Sequence, residues 1–194
     1  MAKFPIPEFF HSFGEGKGGG GVRRKRENMI KESTGKISDE LYALGSPALP
    51  AYLLMGKCPV LFDAGMTFMG PLYLRELKKY LGDANRLAYN FLTHSHYDHS
   101  GAAPFLKKNI PGLKVAASNL AGEIFRRPNA VQLIQSLSKD MEEAYRPQIG
   151  DADVTFRGLE LDRTLEDGDE IDLKNGTQIQ VIATPGHTRD AVSY

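Results

Sequence analysis

The chain has 194 residues, 41% of them hydrophobic and 25% charged, enough for one globular domain with a sizeable core. Lysine plus arginine balances aspartate plus glutamate at 24 each, so no overall field draws the molecule to nucleic acid or to a membrane surface. A single cysteine, Cys58, excludes an intrachain disulfide framework, and no apolar run approaches the length of a membrane span.

Residues 1–35 stand apart in composition. Residues 4–13 are aromatic and contain proline, residues 14–21 are mostly glycine, and Arg23, Arg24, Lys25 and Arg26 form a basic run. Glycine carries a high ordering entropy and offers no side chain to pack, so this stretch reads as a tail or a mobile glycine-rich basic loop. Four cations in one run are a weak signal for nucleic acid. The segment after Met1 lacks the basic-then-apolar order of a secretory signal; with the lone cysteine, this makes the cytoplasm the expected location.

Residues 36–194 read as the folded domain. Strands are expected over 36–44, 48–55 and 59–62, with Gly56-Lys57 as a hairpin turn and Asp63-Ala64-Gly65 ending the third. Pro71 opens a helix to about Leu81, with Leu74, Leu77 and Leu81 on one face. The nearly continuous apolar run 87–93 predicts a strand buried on both faces. Ala102, Phe105, Leu106 and Ile110 have helical spacing, stopped by Pro111-Gly112. A short strand over 114–117 follows, and then a short helix to Arg126 capped by Asn119. Ile134, Leu137, Met141 and Tyr145 mark a longer amphipathic helix. Strands close the chain over 170–173, 177–183 after an Asn175-Gly176 turn, and 191–194. This alternation predicts an α/β layered protein with sheets inside and helices outside.

The segment Thr93-His94-Ser95-His96-Tyr97-Asp98-His99-Ser100-Gly101 carries the chemistry. Three of the five histidines lie within six residues, together with an aspartate. Where an extended chain runs on past a strand end, His94 and His96 point the same way, because side chains alternate with period two. Two imidazoles on one side can hold one metal ion, and Asp98 and His99, on the turn into the next helix, face a second position. Neutral imidazole and carboxylate suit zinc, iron or manganese. A structural zinc site closes with cysteines, and Cys58 is distant in sequence. Thr184-Pro185-Gly186-His187-Thr188 follows a strand, and Pro185-Gly186 presents His187 at its end. Alone this is a loop histidine; beside the first cluster it is the natural third ligand of the first metal.

These two segments, in this order and ~90 residues apart, resemble the metallo-β-lactamase superfamily, whose signature is His-x-His-x-Asp-His followed by a Pro-Gly-His turn. Val60-Leu61-Phe62-Asp63-Ala64-Gly65 is similar to the family's strand ending in Asp-x-Gly. The resemblance implies a metallo-β-lactamase-type αβ/βα sandwich with metal at the edge between two sheets. It places His94, His96 and His187 on the first metal and Asp98 and His99 on the second. Asp63 is then a residue that orients ligands and does not bind metal itself. Zinc is the expected cofactor, with two ions in the complete protein and iron or manganese as alternatives.

The pattern also departs from the family. A bridging aspartate on a later strand and a final histidine belong to two-metal members; this chain ends seven residues after His187, and Asp190 follows His187 too closely to be that bridge. The expectation is therefore a sandwich whose second half is truncated, with 191–194 at or near an open sheet edge and little activity in the isolated chain. The resemblance implies a metal-dependent hydrolase that uses a metal-bound hydroxide on a small ester, thioester, lactone or amide, with Asp98 as the catalytic residue that orients the hydroxide and shuttles its proton. Thr-Pro-Gly-His-Thr looks most like the thioesterase and general hydrolase branches. An iron-dependent oxidoreductase of the same fold, or an inactive metal-binding fragment, are the alternatives. A small-molecule substrate is expected, with no membrane or nucleic-acid partner. Cys58 reads as a packed small residue and His11 as a surface one.

Overall fold

The computed structural model describes residues 34–174 and 176–194. Residues 1–33 of the tail or basic loop expected over 1–35, with His11, and Asn175 of the expected turn lie outside the described residues.

A two-residue period organises the sheet. In β4 (Val60–Phe62) and β6 (Lys114–Ser118), Leu61, Val115 and Ala117 join one core, while Val60, Phe62 and Ala116 join another on the opposite face. The seven-stranded sheet runs in chain order from β1 (Gly35–Lys36) through β2 (Leu41–Ser46), β3 (Leu49–Leu54), β4, β5 (Tyr89–Phe91) and β6 to β7 (Arg163–Leu165). Strands β1 to β4 pair antiparallel; β4 to β7 pair parallel. Helices connect the parallel strands, as that geometry requires.

One face carries α1 (Gly70–Leu81), α3 (Ala103–Asn109), α4 (Asn119–Arg126) and α5 (Pro128–Ala144), which bury Tyr73, Leu77, Leu106, Phe125 and Ile134 against the sheet. The short α2 (Tyr97–Ser100) lies between β5 and α3, and α6 (Arg146–Ile149) follows α5. The other face is covered by β8 (Glu170–Asp172), β9 (Gln178–Gln180), β10 (Ile182–Ala183) and β11 (Val192–Ser193), through Ile171, Ile179 and Val192, and by Val181 between β9 and β10. These strands form two antiparallel pairs, β8 with β9 and β10 with β11. The result is helices, sheet, then strands, the layered α/β arrangement expected. Among the described residues no helix is long and apolar enough to cross a membrane.

Several boundaries differ from the sequence reading, each for a local reason. The strand expected over 36–44 breaks into β1 and β2, because Ile37 and Ser38 both donate backbone N–H groups to Leu41 O at 2.8 and 3.1 Å and reverse the chain. Residues 55–59, and not a two-residue turn, join β3 to β4. The strand over 177–183 divides at Val181, which exchanges hydrogen bonds with Gly168 and Asp169. Ser118, one residue before the expected Asn119, caps α4, its hydroxyl accepting from Ala121 N at 3.2 Å. On α5, Ser138 turns inward while Leu137 is 46% exposed. Strand β7 went unpredicted: Arg-Thr-Leu is too short for a periodic signal, and its one buried residue is Leu165. Strand β11 has β10 as its strand partner, and its Val192 N–H also reaches Thr93 O at 2.9 Å. Cys58 is half-buried against the core on the strand-covered face.

Helix α5 is tied to the loop after β4. Thr67, fully buried, donates its hydroxyl to Glu142 Oε1 at 2.6 Å. Phe68 stacks on Tyr145 at 4.3 Å between ring centroids. Thr67→Val keeps the shape and removes the hydroxyl. It is expected to cost about 1.5 kcal/mol, a fall of roughly 3–6 °C in thermal midpoint; an unchanged midpoint would show that the bond adds nothing.

Candidate metal centre

The site sits where parallel strands end at their carboxyl termini, the place where open α/β sheets hold ligands. Past Phe62, Asp63 adopts φ +61° and Gly65 φ +51°. Aspartate tolerates this left-handed region better than most residues, and a non-glycine residue held there often serves a site. The turn is secured from neighbouring segments. Asn90 Nδ2 on β5 donates to Leu61 O and Asp63 O at 3.2 and 3.0 Å. Asp63 N donates to Phe91 O, Ala64 N to His99 O, and Gly101 N to Gly65 O, at 2.8, 2.7 and 2.8 Å. The Asp63 loop and α2 are thus one hydrogen-bonded body.

Within it, the Asp63 carboxylate directs protons on two histidines. Its Oδ1 accepts from Thr93 N and Thr93 Oγ1 at 2.8 and 2.9 Å, and its Oδ2 faces His99 Nδ1 at 2.8 Å. Thr93 Oγ1 lies 2.9 Å from His94 Nδ1. A hydroxyl has one proton, and Thr93 gives it to the carboxylate, so its oxygen accepts from His94 Nδ1–H. In their neutral forms both His94 and His99 thereby carry hydrogen on Nδ1 and leave Nε2 free to accept. Asp63 thus touches His99 directly and His94 through Thr93.

The structure brings His94, His96 and His187 together. One nitrogen of each lies within 4.8 Å of the other two, and among the described residues this is the group of side chains suited to a metal ion. His187 Nε2 faces His96 Nδ1 at 3.1 Å. A zinc ion with Zn–N bonds of ~2.0–2.1 Å needs tetrahedral nitrogens ~3.3 Å apart, close to that spacing. His94 Nε2 is buried without any hydrogen-bond partner. A lone pair enclosed in this way is costly unless a cation or donor meets it. The orphaned nitrogen and the all-imidazole donor set fit a divalent metal such as zinc.

Asp98 and His99 form a separate pair beside the triad. The His99 ring centroid is 4.2 Å from that of His94, and Asp98 Oδ2 is 3.9 Å from His99 Nε2. No further metal-binding side chain joins these two among the described residues.

Burial, then the neighbouring His99 and His96, push the His94 imidazole down to about 4, against the opposing pull of Asp63 and Asp190. His99 shifts upward, chiefly through its hydrogen bond to Asp63, with burial opposing. His94 lies below its ordinary 6.5, so its contribution to stability is full above that pH and is lost as the pH falls toward 4. His99 lies above its ordinary value, so its contribution is full at lower pH and is lost as the pH rises through the raised value. Ring-nitrogen NMR on the metal-free protein is expected to show His94 titrating well below His99. A midpoint for His94 at or above 6.5 would contradict its enclosure.

Sequence reasoning missed the residues that seat these ligands. Asp190, which the sequence shows only as too close to His187 to bridge two metals, is buried and its Oδ2 accepts Ser95 N–H at 2.7 Å. Ser100 donates its hydroxyl to His96 O at 2.9 Å. Asn90 gave no signal beyond being the one amide in an apolar strand.

Fold and site together define a chain with a three-histidine centre at the carboxyl edge of an αβ sandwich. The chain belongs to the Metallo-beta-lactamase superfamily, whose profile matches residues 50–194. It is similar to the metallo-beta-lactamase GOB-18 from Elizabethkingia meningoseptica, at 25% identity and TM-score 0.63 over 90% of this chain and 61% of that one. It is similar to the HARLDQ-motif metallo-beta-lactamase of Cronobacter sakazakii, at 26% identity and TM-score 0.60 over 79% and 50%. The likeness to BJP-1, a subclass B3 metallo-beta-lactamase of Bradyrhizobium japonicum, is one of fold, at 21% identity and TM-score 0.61 over 82% and 54%. The chain thus spans between half and about three-fifths of the length of these structures.

Proposed function

We propose that this chain carries the metal-binding part of a hydrolase acting on a small ester, thioester, lactone or amide. The observation that carries the reading is the convergence of His94, His96 and His187 with His94 Nε2 buried and unpartnered. These three side chains would hold the first ion, and Asp98 and His99 a second. When bound, zinc supplies Lewis acidity, which lowers the pKa of coordinated water and polarises a carbonyl. The chain's own residues do the rest. Thr93 and Asp63 set the neutral tautomers of His94 and His99, with hydrogen on Nδ1 and Nε2 left as the nitrogen that can bind. Asp98, whose side chain is partly exposed, would take a proton from the attacking water and return it to the leaving group. The substrate is a small molecule, and neither nucleic acid nor membrane enters the reading. The cytoplasmic location rests on the lone Cys58.

The test is zinc titration of the chain, with metal content by elemental analysis. A panel of a thioester, a lactone and a β-lactam is then assayed, the last because the similar structures are metallo-beta-lactamases. Zinc binding that is lost in His187→Ala, with zinc-dependent turnover of one ester or amide class, is the expected result. Bound iron with oxygen consumption and no hydrolysis would replace the hydrolase by an oxidoreductase. Zinc bound equally well without His187 would overturn the site.

A further inference from the structure

The histidine triad joins two distant pieces of chain, and one buried side chain fastens those pieces together. His94 and His96 lie just past β5, where the strand ladder has ended, and the backbone N–H of Ser95 between them is without a ladder partner. Ser95 is 8% exposed, so water does not readily take that role. Its N–H donates to Asp190 Oδ2 at 2.7 Å. Asp190 is itself 4% exposed and stands three residues after His187. On either side the same two segments are joined again, by Val192 N donating to Thr93 O at 2.9 Å and by the contact of His187 Nε2 with His96 Nδ1 at 3.1 Å.

Asp190 is also held from behind. Its backbone carbonyl accepts the Ser118 hydroxyl at 2.8 Å, and Ser118 in turn caps α4. The end of the His187 loop is therefore anchored to the β6–α4 corner, while its carboxylate reaches forward to the His-x-His backbone. The opposite side of that backbone is held by Ser100, whose hydroxyl donates to Ser95 O at 3.3 Å and His96 O at 2.9 Å.

We propose that Asp190 is the positioning residue of the metal centre: its carboxylate sets the Ser95 peptide and so fixes His94 and His96 against His187. The proposal rests on the metal-binding reading of the triad. A charge-assisted bond to a backbone N–H is short and directional, so it fixes a peptide's orientation where a packing contact does not. Residues that orient metal ligands typically shift metal affinity 10–100-fold when removed. The working element is the acceptor oxygen. Asparagine can present one at the same place; alanine and the similarly sized leucine cannot.

The experiment measures zinc affinity of the 194-residue chain by competition with a chromophoric chelator, beside far-ultraviolet circular dichroism of the metal-free protein and hydrogen exchange at the Ser95 amide. Asp190→Ala and Asp190→Leu are expected to weaken zinc binding about 10–100-fold and to lose protection at Ser95 with the fold retained. Asp190→Asn is expected to stay within about threefold of the parent chain, because it keeps the acceptor. Unchanged zinc affinity in a folded alanine or leucine variant overturns the proposal and leaves the triad reading intact. So does an asparagine variant as weak as alanine, which would assign the effect to the carboxylate's charge. If both alanine and leucine variants unfold, Asp190 serves the fold and the proposal fails. A parent chain that binds no zinc removes the triad reading, and the proposal with it, a result distinct from any variant's.

Discussion

His94→Ala is expected to reduce zinc affinity by at least ~100-fold while leaving the metal-free fold intact. A metal site worth ~10–16 kcal/mol over three or four bonds assigns roughly 3–5 kcal/mol to each ligand. His94 is the least replaceable of the three, because its ring is buried and its Nε2 meets no other group. The metal-free chain has little to lose at that nitrogen, since it makes no hydrogen bond there. The Nδ1 side contributes one neutral bond to Thr93 Oγ1. The substitution therefore separates metal binding from folding in a way that a core change cannot. Zinc competition and thermal unfolding of the metal-free protein check both halves together. A variant that keeps parental zinc affinity would show that His96 and His187 bind without it. A variant that unfolds would show that His94 serves the fold.

The candidate ligands stood out in the sequence because the pattern is local: His94, His96, Asp98 and His99 lie within six residues, and strand alternation predicts that the first two point the same way. The fold class was legible because the periods of helix and strand alternate along the chain, and the helical faces of α1 and α3 come close to the observed cores. Short elements were not legible. In β7, three residues with one apolar side chain carry no period, and the strand forms because β6 offers it a parallel edge. The division of 177–183 is likewise tertiary, set by the turn at Gly168 and Asp169 against Val181. The supports of the site were the least legible. Asp190 and Ser95 are 95 residues apart, and nothing in the spacing of an aspartate from a Pro-Gly-His turn says which peptide its carboxylate will meet. Thr93 looked like the last residue of a strand, and its role as a proton director exists only once Asp63 stands opposite.

Gly101→Ala is expected to destabilise the protein by about 3 kcal/mol, at the upper end of what a forced methyl group costs in a close-packed interior. The backbone at Gly101 is ordinary right-handed helix, φ −57° and ψ −43°, so alanine meets no torsional objection. The cost is steric. A Cβ there would stand 2.5 Å from Tyr97 O, 2.7 Å from Thr67 N and 2.9 Å from Met66 C, all backbone atoms. Backbone does not swing aside as a flexible side-chain end would, so the Met66–Thr67 segment has to move away from α2. That movement strains the bonds of Gly101 N to Gly65 O and Ala64 N to His99 O, which hold the Asp63 loop to the helix. The 2.8 Å bond between Asp63 and His99 lies across the same seam. Loss of stability and loss of order at His99 are thus expected together. In a domain of this size the thermal midpoint falls by roughly 6–12 °C, and the His99 ring titrates nearer its ordinary value once its carboxylate partner has moved. Thermal unfolding and ring-nitrogen NMR measure the two effects independently. A midpoint within ~2 °C of the parent would mean that the loop and α2 part without cost, and the description of them as one hydrogen-bonded body would be wrong.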